Sequence, residues 1–114
     1  MIIESFDQNL NFNDTKIVMK VILETSFTKE IRILLKKGQS MKEHKAPFQI
    51  IVHVLRGEIN FGVQGTIKQL KVGNIITLSA NIAHDLIAID DSIIRLTLSK
   101  LDQAKRVKNV VANS

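Results

Sequence analysis

The chain has 114 residues, 45% of them hydrophobic and 24% charged, with a net charge of +5 and no cysteine. That is one domain with enough apolar mass for a single core, and it excludes disulfides, thiolate metal sites and a cysteine nucleophile. The basic excess is spread, nine basic against six acidic side chains in residues 1–57 and seven against five in 58–114, and Trp and Tyr are absent; a nucleic-acid surface, which concentrates charge and adds stacking aromatics, is not expected.

Residues 1–14, MIIESFDQNLNFND, have no basic n-region and meet Glu4 and Asp7 early, so they do not read as a signal peptide. No apolar run approaches a membrane span. A cytoplasmic protein without a membrane partner is the expectation. The N-terminal segment, residues 1–15, reads as irregular or as an edge, with Phe6, Leu10 and Phe12 available to cap a core and Asn13-Asp14 as a turn.

From Lys16 to Thr25 (KIVMKVILET) runs a long β-branched stretch that is apolar on both faces. A strand on the outside of a small barrel shows one polar face, so this one predicts a covering partner, and a second copy of the chain is the simplest. Phe27 to Leu35 alternates through Glu30-Ile31-Arg32-Ile33, the pattern of a half-buried strand, and Lys36-Lys37-Gly38 ends it. Ile50 to Leu55 is short, β-branched and bounded by turn residues, which predicts a strand buried on both faces, with Pro47 near its start and Arg56-Gly57 at its end. Glu58 to Val63 and Thr66 to Val72 flank Gln64-Gly65, and Val72-Gly73-Asn74 turns again. Ile75 to Leu78, His84 to Ile89 and Ser92 to Leu98 follow, the last two linked by Asp90-Asp91. Strands at such spacing predict an all-β antiparallel sandwich or barrel of roughly six to ten strands, formed by residues 1–114 as one domain. In the tail, residues 101–114, Leu101, Ala104, Val107 and Val111 recur at helical spacing. That predicts a short C-terminal helix packed on the barrel, or an end without structure.

Two constellations punctuate these strands. The first is Gly38, His44, Ala46, Ile50 and Gly57; the second is Gly73, Ser79, Asn81, His84 and Ala88. Their spacing resembles the two motifs of the cupin family, Gly-x5-His-x-His-x3–4-Glu-x6-Gly and Gly-x5-Pro-x-Gly-x2-His-x3-Asn. Residues 58–72 separate them, and the resemblance covers about residues 16–100. His44 and His84 stand where the family has histidines. Ala46 stands for the second His, Ile50 for the Glu, Ser79 for the Pro, Asn81 for the Gly and Ala88 for the Asn. Asn tolerates the left-handed conformation that such a Gly adopts. The resemblance implies a small jelly-roll β-barrel, often dimeric, with a cavity at one end lined by both motifs. Its pattern looks most like small single-domain cupins of unassigned activity.

The family's metal sites use two His and a Glu of the first motif and a His of the second. Carried over, only His44 and His84 remain, and two imidazoles fall short of the three protein ligands usual for a catalytic metal. No bound cofactor is the expectation; a divalent transition metal on His44 and His84 is the alternative. Strand alternation turns Ala46, Phe48, Ile50, Val52 and Val54 inward with His44, and Gln49 and His53 outward, His53 toward a sheet surface or a dimer contact. With Ala88 in place of a polar group, the ligand-binding residues read as His44, His84, Ala46, Phe48, Ile50, Val52 and Ala88: two polar groups in an apolar concavity, the usual make-up of a small-molecule site. Lys36, Lys37, Lys42 and Lys45 around the first motif favour an anionic ligand, or form a solvated rim. Ser79 and His84 lack a placed acidic orienter and do not make a nucleophile pair. His44 and His84 read equally as ligand contacts or as polar residues satisfied at a barrel mouth.

Two functions follow: a metal-free binding or sensing protein for a small organic molecule, or a metal-dependent cupin enzyme, an isomerase, decarboxylase or dioxygenase, with an atypical site.

Overall fold

The turn residues fall where the sequence places them, and the runs between them are strands. The computed structural model describes residues 1–100. The helical spacing from Leu101 onward lies outside the described residues. Nine strands form: β1 Val18–Glu24, β2 Thr28–Leu35, β3 Ser40–His44, β4 Ile50–Arg56, β5 Glu58–Val63, β6 Thr66–Lys71, β7 Ile75–Leu78, β8 His84–Ala88 and β9 Ser92–Ser99. They make a five-stranded sheet, β1-β2-β9-β4-β7, and a four-stranded sheet, β3-β8-β5-β6, with antiparallel ladders. From β2 onward the chain changes sheet at nearly every connection, which is the jelly-roll path. Among the described residues no helix is long and apolar enough to cross a membrane.

Period-2 alternation supplies the core. Ile31, Ile33 and Leu35 of β2, Ile50, Val52 and Val54 of β4 and Ile94 of β9 face Ile59 and Phe61 of β5, Leu70 of β6, and Leu86 and Ala88 of β8. In β4 the opposite face, Ile51, His53 and Leu55, is half-buried rather than fully buried, so the expectation of two buried faces is corrected. That face lies toward solvent on the outside of the five-stranded sheet. As alternation predicts, His53 is there, lining a groove with Ile51, Ile75, Arg95 and Thr97.

β2 departs from its half-buried reading in the other direction. Glu30 to Leu35 are all buried. The outward-facing Arg32 is only 3% exposed, because the N-terminal segment crosses over it. Its guanidinium donates to the carbonyls of Phe6, Gln8 and Asn9 at 3.4, 2.6 and 3.2 Å. Beside it Glu30 accepts from Arg95 Nε at 2.9 Å and from Thr97 Oγ1 at 2.5 Å, and Arg95 lies over the Phe6 ring at 5.7 Å. The expectation that Phe6, Leu10 and Phe12 cap the core is corrected: none of them packs on the core cluster, and Phe6 lies against Arg95 on the outer face, where a buried arginine ties the segment down.

β1 is an edge strand. Met19 and Val21 pair with the inward-facing Ile33 and Ile31, yet they are 48% and 49% exposed. The four-stranded sheet does not close over β1, so apolar surface of the inner face stays open to solvent beside the barrel mouth. β3 was missed from sequence: SMKEH carries one apolar side chain and no alternation to read.

Candidate functional site

β3 ends and β8 begins at the same end of the barrel, and their terminal residues His44 and His84 are direct cross-strand partners. A register shift between Met41 and His44 re-aims the end of β3. The imidazole centroids lie 4.3 Å apart with the planes tilted by 60°. His84 is 5% exposed and stacks on Phe61 at 5.7 Å and 17°, whereas His44 is exposed. Each ring is tied to the backbone two residues earlier: His44 Nδ1 lies 2.7 Å from the Lys42 carbonyl within β3, and His84 Nδ1 2.9 Å from that of Ile82 in the loop before β8. A carbonyl only accepts, so both Nδ1 atoms carry a proton and donate.

The loop after β3 completes the mouth. Asn81 adopts a φ of 64°, the left-handed conformation expected of it in place of a glycine. Its N–H donates to the Ala46 carbonyl at 2.7 Å and pins the two motif loops together. The result is a cavity of about 270 Å³ whose walls include Met19, Met41, Ala46, Pro47, Phe48 and Leu98, with both histidines present. Beneath the pair a second space among Val52, Phe61, Leu86 and Ile94 measures only about 20 Å³, room for a single water. The barrel interior is therefore filled by its own side chains, and the usable concavity is the mouth above them.

Of the residues expected at the site, His44, His84, Ala46, Phe48 and Ile50 line the mouth. Val52 reaches only the small inner space. Ala88 is a correction: it lines neither cavity, is 2% exposed and belongs to the core. It sits at the other end of β8 from His84, about 13 Å away at the rise of an extended strand, where its backbone bonds Gly38 and Gln39. The lysine cluster also divides. Lys42 and Lys45 flank His44, but Lys36 lies at the far end of β3, paired with Asp14 at 2.5 Å. That hydrogen bond and the attraction of the two charges hold Lys36 above its ordinary pKa and Asp14 below its own. Sequence reasoning missed Met19, Met41, Leu96 and Leu98 as wall residues. Leu96 and Leu98 are two apart and so share one face of β9, but nothing local says which face meets the mouth.

The residues do not fit the family's divalent metal site. Ala46 and Ile50 offer no donor atom, and among the described residues no three of His, Cys, Asp and Glu come together.

A second groove of about 270 Å³ lies on the outer face of the four-stranded sheet, among Ser40, Lys42, Asn60, Gly62 and Asp85. Its charged side chains are one lysine and one aspartate, with no imidazole pair, and the mouth with its cross-strand histidines is the stronger candidate on chemistry.

No protein-family model matches the sequence, and no curated protein matches it. Solved structures do. An RmlC-like cupin protein from Desulfovibrio desulfuricans superposes with a TM-score of 0.80 at 22% identity, over 87% of this chain and 96% of that one. A conserved protein of unknown function from Streptococcus pyogenes gives 0.74 at 19% identity over 87% of each chain. A cupin 2 conserved barrel domain protein from Leptotrichia buccalis is 30% identical, with a TM-score of 0.70, over 79% of this chain and 44% of the other.

Proposed function

This chain has the fold of the cupin superfamily, and from that premise we propose that it is a binding or sensing protein for a small, partly apolar organic molecule, acting without a divalent metal. The observation that carries the reading is the pairing of His44 with His84 at the edge of an apolar cavity of about 270 Å³. A few convergent polar groups in an apolar concavity are what fixes a small ligand's orientation. Ala46 and Ile50, which remove metal donors, add apolar wall at the same place.

Thermal-shift screening of a small-molecule library against the wild type and the His44→Ala/His84→Ala double variant tests this. A ligand of the mouth stabilises the wild type and loses most of that effect in the variant; equal stabilisation of both removes the histidines from the site. The enzyme reading needs a metal on His44 and His84. It predicts near-stoichiometric divalent metal in purified protein by elemental analysis, where the binding reading predicts well under one equivalent. The open inner face of β1, with Met19 and Val21 about half exposed, supports association with a second copy.

A further inference from the structure

The hydrogen-bonding state of the two imidazoles says what kind of polar group the mouth takes. Both Nδ1 protons are spent on backbone carbonyls, of Lys42 and of Ile82. In a neutral imidazole the other nitrogen is then an acceptor, and no other tautomer is open while those bonds stand. Among the described residues no hydrogen bond is made by Nε2 of either ring, so each imidazole of the cross-strand pair, its centroids 4.3 Å apart, keeps one acceptor lone pair. The other wall residues are apolar except Lys45, an exposed side chain.

Building on the reading of the mouth as an organic-ligand site, we propose that it selects a neutral hydrogen-bond donor, an alcohol or a phenol on an apolar body, over a carboxylate. A carboxylate brings only acceptors. Neither ring has a donor to give it while Nδ1 stays bonded to the backbone and the imidazole is neutral, so two lone-pair-bearing groups would face each other. An ammonium ligand brings donors, but no carboxylate lines the mouth to meet its charge, and a partly buried cation without a partner is costly. A hydroxyl needs neither. It gives its proton to one Nε2 and leaves the other ring's lone pair for a second donor. The cavity's volume is at the small end of ligand pockets, which suits one ring or a short aliphatic chain. Of the lysines from which an anionic ligand was expected, Lys45 lines the mouth, while Lys42 lines the outer groove and Lys36 is paired with Asp14.

The test uses three probes with one apolar body, 4-ethylphenol, 4-ethylbenzoate and ethylbenzene, titrated into the full chain at pH 8, with affinities from chemical-shift changes of the His44, His84 and Leu98 amides. The phenol is expected to bind about tenfold more tightly than ethylbenzene, the worth of one net hydrogen bond, and more tightly than the benzoate. His84→Phe, which keeps a ring stacked on Phe61, and His44→Ala, at an exposed position, should each reduce the phenol's advantage over ethylbenzene. If His84→Phe does not fold, His44→Ala carries the test. Tighter binding of the benzoate overturns the donor preference while leaving the mouth a ligand site. Equal binding of phenol and ethylbenzene overturns it as well. Failure of all three probes to bind at millimolar concentration overturns both this inference and the reading of the mouth on which it rests.

Discussion

At Gly57 the backbone turns with a φ of 84°, and a Cβ built there would overlap the Asp91 carbonyl oxygen and Ser92 Oγ. Both the left-handed conformation and the lack of room reject a side chain, so Gly57→Ala is expected to cost about 2–5 kcal/mol in urea denaturation, adding strain to overpacking. Ser92 is the other half of that contact. Fully buried, its hydroxyl accepts from the Glu58 N–H at 3.1 Å and reaches the Asp90 carbonyl at 2.7 Å. Ser92→Ala leaves the Glu58 N–H unpaired, and a loss of about 1–3 kcal/mol is expected by the same measurement. Gly57 was legible because a turn glycine announces itself between two apolar runs. Ser92 was not, because the N–H it accepts from belongs to Glu58, 34 residues away, and no local spacing encodes that partner. The site divides in the same way: His44, His84 and Asn81 are written into two spaced motifs, whereas Met41 and Leu98 reach the mouth through sheet order alone.

Strands with alternating apolar residues were read nearly to their ends; β5 and β7 match their expected spans and β1, β2, β4, β6, β8 and β9 differ by one or two residues. β3 escaped because its pattern is polar, and the depth of β2 escaped because what buries it is the N-terminal segment, which has no periodicity. That segment depends on Arg32. Arg32→Met keeps the buried stem and removes the three carbonyl contacts, so amides of residues 5–11 are expected to exchange faster by NMR while those of β4 and β9 hold. Glu30, on the same face, adds a pH dependence. Burial raises its pKa, but hydrogen bonds from Thr97, Thr28 and Arg95 and the charge of Arg95 outweigh that and hold it below its ordinary 4.5. Because the folded carboxyl binds its proton less well than the unfolded one, its contribution is complete above about pH 4.5 and is lost as pH falls through the folded value. Urea midpoints should therefore drop between pH 6 and 3.5 in the wild type and drop less in Glu30→Gln; equal slopes would remove Glu30 from the acid sensitivity.

For the whole molecule the uneven closure of the two sheets matters most. Met19 and Val21 on the open inner face of β1, with Phe27 54% exposed after it, form apolar surface that a second copy would cover. Sedimentation at micromolar concentration is expected to give the mass of a dimer, and Val21→Lys to shift it toward the monomer. A wild-type monomer would leave this face to another partner. The sequence showed that β1 is apolar on both sides; that the open side is the concave one, next to the mouth, depends on how far the opposite sheet extends.

β3 is joined to its sheet on one side only, through β8, and its ladder is interrupted between Met41 and His44. Freeing it requires breaking a single ladder, while β8 is held on both edges. The two histidines therefore differ in mobility: His84 is mounted on the rigid part of the molecule and His44 on the part that frays most readily. A ligand that bridges them ties the loose strand to the fixed one, so its arrival is recorded as lost motion along Ser40–His44 rather than as a change of shape. Slowed amide exchange in β3, with an unaltered barrel, is the signature to look for. A protein built this way can signal occupancy by stiffening one edge.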